Sequence, residues 1–168
     1  MIKLKNLLTE DYKQVVASYV NDFEDHGLLK IKNEVPADLK YQGLAYHLCP
    51  LSKKSILDIL NGKTIPYPSK KILSWAKTMK GLTEAYYNLS QDFSAKYAHG
   101  VIIKGRIARD QSIVDVVSFA TAHPDSISNT QYADYISEEE VITINFLTTI
   151  NKKMLDGYIL NGEPKQLK

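Results

Sequence analysis

The chain has 168 residues, 44% of them hydrophobic, and a formal net charge of +2, enough apolar material to bury the core of one ordinary domain or two small ones. No run approaches the length of a membrane-spanning helix, and Met1 to Leu8 lacks the apolar stretch and cleavage site of a secretory signal, so the cytoplasm is the expected compartment and no membrane partner is expected. The single cysteine, Cys49, excludes an internal disulfide.

Charge is distributed unevenly. Between Lys40 and Lys80 eight lysines face one acid, Asp58, for a net +7, whereas Asp110 to Asn151 holds seven acids and no Lys or Arg, for a net −7. A basic segment attracts phosphate backbones through counterion release and an acidic one is repelled by them, so nucleic acid is expected to meet the first half. The acidic residues 110–151 are either a solvated face or a surface for a protein partner.

In chain order, Thr9-Glu10-Asp11 precedes apolar residues at helical spacing from Tyr12 to Phe23, which predicts a helix over about 10–25. Leu28 to Lys32 reads as a short extended segment closed by Asn33 to Pro36. A helix is expected from about Ala37 to Cys49, with Leu39, Leu44, Ala45 and Leu48 inward and Pro50 after its end. Ser52 caps a second helix over about 53–61, with Ile56, Ile59 and Leu60 on its buried face, Lys53, Lys54 and Leu57 on the other, and Asn61-Gly62 as the stop. After a loop, Ser69 is expected to cap a helix to about Met79 that packs through Trp75 and Ala76.

Residues 40–80 resemble the Cro and lambda-repressor type of helix-turn-helix. The shared features are Leu44-Ala45, Ser52, the run Ser55-Ile56-Leu57-Asp58-Ile59-Leu60-Asn61-Gly62-Lys63, Pro68-Ser69 and Ala76-Lys77. The chain departs from that pattern at Cys49-Pro50, where a single glycine is usual, by one residue inserted after Leu44-Ala45, and by Pro66-Tyr67 in the later loop. The resemblance implies double-stranded DNA binding, with Ser52, Lys53, Lys54 and Leu57 facing base edges in the major groove and Asn61, Lys63 and Lys70 near the backbone. Gln42 stands one residue after the position where the family's phosphate-gripping glutamine is found.

Farther on, Leu82 to Tyr97 predicts a helix with Ala85, Tyr86, Leu89, Phe93 and Tyr97 on one stripe, and Ser112 to Ala122 predicts another. Val101 to Ile103 is compatible with strand or helix. Thr130 to Val141 with Lys153 to Ile159 resembles a winged-helix core, Ser137 and Glu140 forming a capping box. Three consecutive glutamates at the start of that helix disfavour phosphate contact, so this part is expected to pair subunits or bind a protein. A plain helical bundle with one long helix from 138 to about 156 is the other reading. The expected fold class is therefore mainly α: a helix-turn-helix domain with an N-terminal extension over 1–80, then a helical, winged-helix-like dimerisation or interaction domain over 81–168.

Catalysis has little support at this level. The four histidines are scattered, His47-x-Cys49 is too sparse for a metal, and no glycine-rich phosphate loop is present. The expectation is a non-enzymatic protein with no cofactor and no metal: a sequence-specific transcriptional regulator or repressor of phage, plasmid or bacterial origin, working as a homodimer on a palindrome. The competing functions are a mobile-element antagonist, whose acidic half imitates nucleic acid, and an accessory of plasmid replication or transfer.

Overall fold

A computed structural model describes residues 12–21, 27–68, 70–87, 98–127 and 136–167. Its centre is a seven-stranded antiparallel sheet. The strands are β1 (Gly43–Pro50), β3 (Ile72–Ala76), β4 (Gly100–Ile107), β5 (Ser112–Asp115), β6 (Glu140–Ile144), β8 (Leu155–Leu160) and β9 (Glu163–Gln166). Across the sheet they run β5-β6-β3-β1-β4-β8-β9. A two-stranded ribbon joins β2 (Ile65–Pro66) to β7 (Thr149–Ile150). The described α-helices of four residues or more are α1 (12–21), α2 (Leu28–Ile31), α3 (Lys53–Leu60), α4 (79–87) and α5 (Val116–Ala122).

This architecture overturns the mainly α expectation and both resemblances. The segment expected as the first helix of a helix-turn-helix is β1, and the one expected to follow the reading helix is β3. The reason lies in periodicity. Leu44, Ala45 and Leu48 can be placed on one helical face, but in β1 the buried side chains are Ala45, His47 and Cys49, two residues apart, with Leu44 and Leu48 on the opposite face. In β3, Leu73 and Trp75 face one core, while Ile72, Ser74 and Ala76 project from the opposite face, where Ile72 packs against the other core. The winged-helix core fails likewise: Val141-Ile-Thr-Ile144 is a β-branched run that forms β6, and residues to 160 add strands instead of a long helix. Glu140 is in that strand and not the third residue of a capping box. Leu28–Ile31, expected as extended, is one turn of helix.

Helix α3 is where the sequence placed it. Ser52 caps it, its Oγ accepting from the Ser55 N–H at 3.1 Å, and Ile56 and Ile59 are fully buried. β1 and β3 precede residue 80, yet they pair with β4 and β6, which follow it. Two apolar clusters flank the sheet. One joins α1, α2 and α5 to β5 and β6 through Val16, Val20, Phe119 and Ile142. The other packs α3 and the ribbon against β1, β3 and β4 through Ile56, Ile59, Trp75 and Ile103. No helix among the described residues is long and apolar enough to cross a membrane.

Candidate active site

The sheet is unevenly closed. β1 meets β4 over eight residue pairs, from Gly43–Ile107 to Pro50–Gly100, but meets β3 at one, Tyr46 opposite Ala76. The backbones of β1 and β3 part from there, and a cleft of about 140 Å³ occupies the split. His47 from β1, Ser74 from β3, Leu82 and Tyr86 from α4, Lys70, and the pair Glu138 and Glu140 line it.

His47 fills the floor of the split. A carbonyl can only accept, so the 2.7 Å contact between His47 Nδ1 and the Ser74 carbonyl puts the proton on Nδ1, and the Tyr67 hydroxyl donates to Nε2 at 2.7 Å. The imidazole thus substitutes for a missing ladder hydrogen bond between β1 and β3. Burial lowers its pKa to about 4, against the Ser74 carbonyl bond and with Lys70 adding to the fall, so the ring is neutral at physiological pH and both nitrogens are engaged. Cys49, next along the buried face of β1, has its thiol pushed up to about 11 by burial, which makes it a poor nucleophile.

The Glu140 carboxylate is held from two elements, β3 and α1. The Ser74 hydroxyl donates to Glu140 Oε1 at 2.6 Å, and the Tyr19 hydroxyl of α1 donates to the same oxygen at 3.0 Å. Ala76 lies opposite Glu140 in the β3–β6 ladder, so Ser74, two residues along, projects from the same face. Glu140 is 8% exposed while Ser74 is exposed, so the pair spans the passage from core to cleft. Burial raises the Glu140 pKa to about 7; the two donors pull it down, and Glu138 pushes it up. Both donors meet the same oxygen, Oε1.

The segment before β6 is clamped to the start of α4. Lys77 N–H donates to the Glu139 carbonyl at 3.1 Å, the Thr78 hydroxyl donates to the Glu139 carboxylate, and Gly81 N–H donates to the Thr78 hydroxyl at 3.1 Å. A Cβ at Gly81 would stand 2.5 Å from the Glu138 carbonyl oxygen, so only glycine permits this approach. Glu139 has φ of 51°, a left-handed conformation that costs about 1–2 kcal/mol in a residue other than glycine. Such strain persists where surroundings enforce it, and here it sits between the two cleft carboxylates.

Of the residues expected to bind DNA, all but Gln42 and Lys70 lie on α3 or at its ends. Gln42 is an exposed residue before β1, Ser52 spends its hydroxyl as the α3 cap, and Asn61 is the C-cap. Lys53, Lys54 and Leu57 lie on the exposed face of α3, and Lys63 is paired with Asp58 at 2.8 Å. Lys70 alone belongs to the cleft. The acidic stretch is divided too: Asp115 caps α5 and pairs with Lys77 at 2.6 Å, Glu140 is buried, and Asp134 lies outside the described residues. Sequence reasoning missed His47, Ser74, Glu138 and Glu140 as a group. The one local signal was Glu-x-Glu leading into a continuous β-branched run. Comparison with family models, with curated proteins and with solved structures returned no match for this chain.

Proposed function

We propose that the split between β1 and β3 is the active site of an enzyme that breaks the N-glycosidic bond of a pyridine dinucleotide of NAD type and transfers the ADP-ribosyl group to a nucleophile. The observation that carries this reading is the buried Glu140 carboxylate, fixed by Ser74 at 2.6 Å and Tyr19 at 3.0 Å at the cleft wall. It departs from the expectation of a non-catalytic protein.

A preorganised carboxylate in a water-poor site does most for a transition state that develops positive charge. A ribosyl oxocarbenium is such a species. Hydrolysis of an ordinary glycoside also needs a carboxylic acid to protonate the leaving oxygen. Glu140 accepts both of its hydrogen bonds, as an ionised carboxylate does, and His47 is neutral with both nitrogens occupied, so the reaction proposed is one whose leaving group needs no proton. A pyridinium is one: as the C1′–N bond breaks, the electron pair stays with the ring nitrogen and nicotinamide departs neutral. The nucleophile then bonds to C1′, and its proton passes to Glu138, the second carboxylate lining the cleft. Lys70 supplies a cation for pyrophosphate and Tyr86 a ring for stacking. The enclosed volume is below that of pockets that surround a whole ligand, roughly 300 Å³ and upward, so one ring enters and the rest of the dinucleotide lies along the opening.

Calorimetric titration with NAD tests the reading at the binding step. The expected result is saturable binding that weakens when Lys70→Ala or Tyr86→Ala is introduced. Absence of binding, or binding indifferent to both changes, contradicts it.

A further inference from the structure

We infer that a second surface, on the α3 side of the molecule and independent of the cleft chemistry, docks a nucleic-acid phosphate backbone. The β2–β7 ribbon pairs Ile65 with Ile150 and Pro66 with Thr149, and Tyr67 N–H donates to the Thr148 carbonyl at 2.9 Å. These bonds bring the turn after α3 against residues 151–153, far apart in sequence. Between them lies an open groove of about 520 Å³ lined by Gly62, Thr64, Asn151, Lys152 and Lys153.

The charge there is one-sided. Lys152 and Lys153 are exposed on the groove, Lys63 borders it beside Gly62, and Lys53 and Lys54 are exposed on the helix leading into it. The acid on α3 is Asp58, and it is engaged by Lys63 at 2.8 Å. Lys54 shares Asp58 with Lys63, and among the described residues Lys53, Lys152 and Lys153 form no ion pair, so the rim carries a net positive charge. A protein-binding interface is centred on aromatic, methionine and arginine side chains. This groove is lined by lysine, threonine, asparagine and glycine, and the exposed large apolar side chain nearby is Leu57. Lysine heads over a polar, open channel are suited to a polyanion whose charges repeat along a line. Because α3 lacks the second helix that would seat it in a groove of DNA, contact with phosphates and not with base edges is expected, and binding should be indifferent to sequence.

The test is fluorescence anisotropy of the full chain with short labelled duplexes of two unrelated sequences, between about 50 and 200 mM salt. Lys152→Ala/Lys153→Ala and Lys53→Ala/Lys54→Ala are compared with Lys30→Ala/Lys165→Ala, whose lysines lie elsewhere. Expected are equal affinities for both sequences, at least tenfold weaker binding for each patch variant, and a salt slope lowered by about one for each lysine removed, with the control pair unchanged. No binding at low salt, equal loss in the control pair, or displacement of the duplex by polyglutamate at matched charge overturns the proposal, the last in favour of an acidic protein partner. NAD binding is expected to survive in both patch variants, so failure of this proposal is separable from failure of the cleft reading.

Discussion

At the scale of single residues, Glu140 is placed where folding alone would not put it. Its folded pKa of about 7 lies above the ordinary carboxylate value of 4.5, so the folded state holds its proton more tightly than the unfolded one. The sign follows: Glu140 lowers stability as pH rises from 4.5 toward 7, and the cost is complete above 7. Glu140→Gln is therefore expected to raise the melting temperature at pH 8 by several degrees while destroying activity, a trade common at functional sites. A lower melting temperature in that variant would mean the carboxylate is structural. Ser74→Ala removes the shorter of the two bonds that favour the ionised form. The acid limb of the pH–rate profile should move up by about one unit, and an unshifted limb would separate Ser74 from the chemistry.

At the scale of elements, the start of α4 and the approach to β6 act as one clamp on the carboxylate pair. Gly81→Ala sets a methyl group against the Glu138 carbonyl, and about 1–3 kcal/mol of destabilisation is expected from the forced shift. Activity should fall much further than the lost folded fraction explains, because misplacing a catalytic group by an ångström is costly. Equal loss of both, measured by denaturant unfolding beside turnover, would reduce Gly81 to a packing role. On the other side of the sheet α3 is held by Ile56 and Ile59, both fully buried. Ile56→Ala should cost about 2–5 kcal/mol, a value near zero showing that α3 is not part of the core.

At the scale of the molecule, a sheet joined at one residue pair between β1 and β3 opens a cleft across its middle, and His47 bridges the parted strands. His47→Leu leaves the Ser74 carbonyl and the Tyr67 hydroxyl without this partner, each loss worth about 1–3 kcal/mol, so the cost in urea unfolding should exceed that of an exposed substitution severalfold. How much of this was legible in the chain differs by element. α3 was readable because Ser52, the Ile56 and Ile59 spacing and Asn61-Gly62 are local signals that agree. β1 and β3 were not, because short apolar runs satisfy both periods, and the choice is made by long-range pairing with β4 and β6. The site was illegible for the same reason: Tyr19, His47, Ser74 and Glu140 meet only after the strands have paired. The Lys40–Lys80 charge was visible, but its division between the cleft at Lys70 and the α3 surface depends on the fold.

Glu140 is the residue on which the proposed glycosidic chemistry of a pyridine dinucleotide depends. The most direct measurement is the rate of nicotinamide release from NAD by the wild-type chain and by Glu140→Gln, followed across pH. Release should rise through about pH 7 and fall about 10²–10³-fold in the variant. Release that is absent in the wild type, or equal in the two proteins, would contradict it.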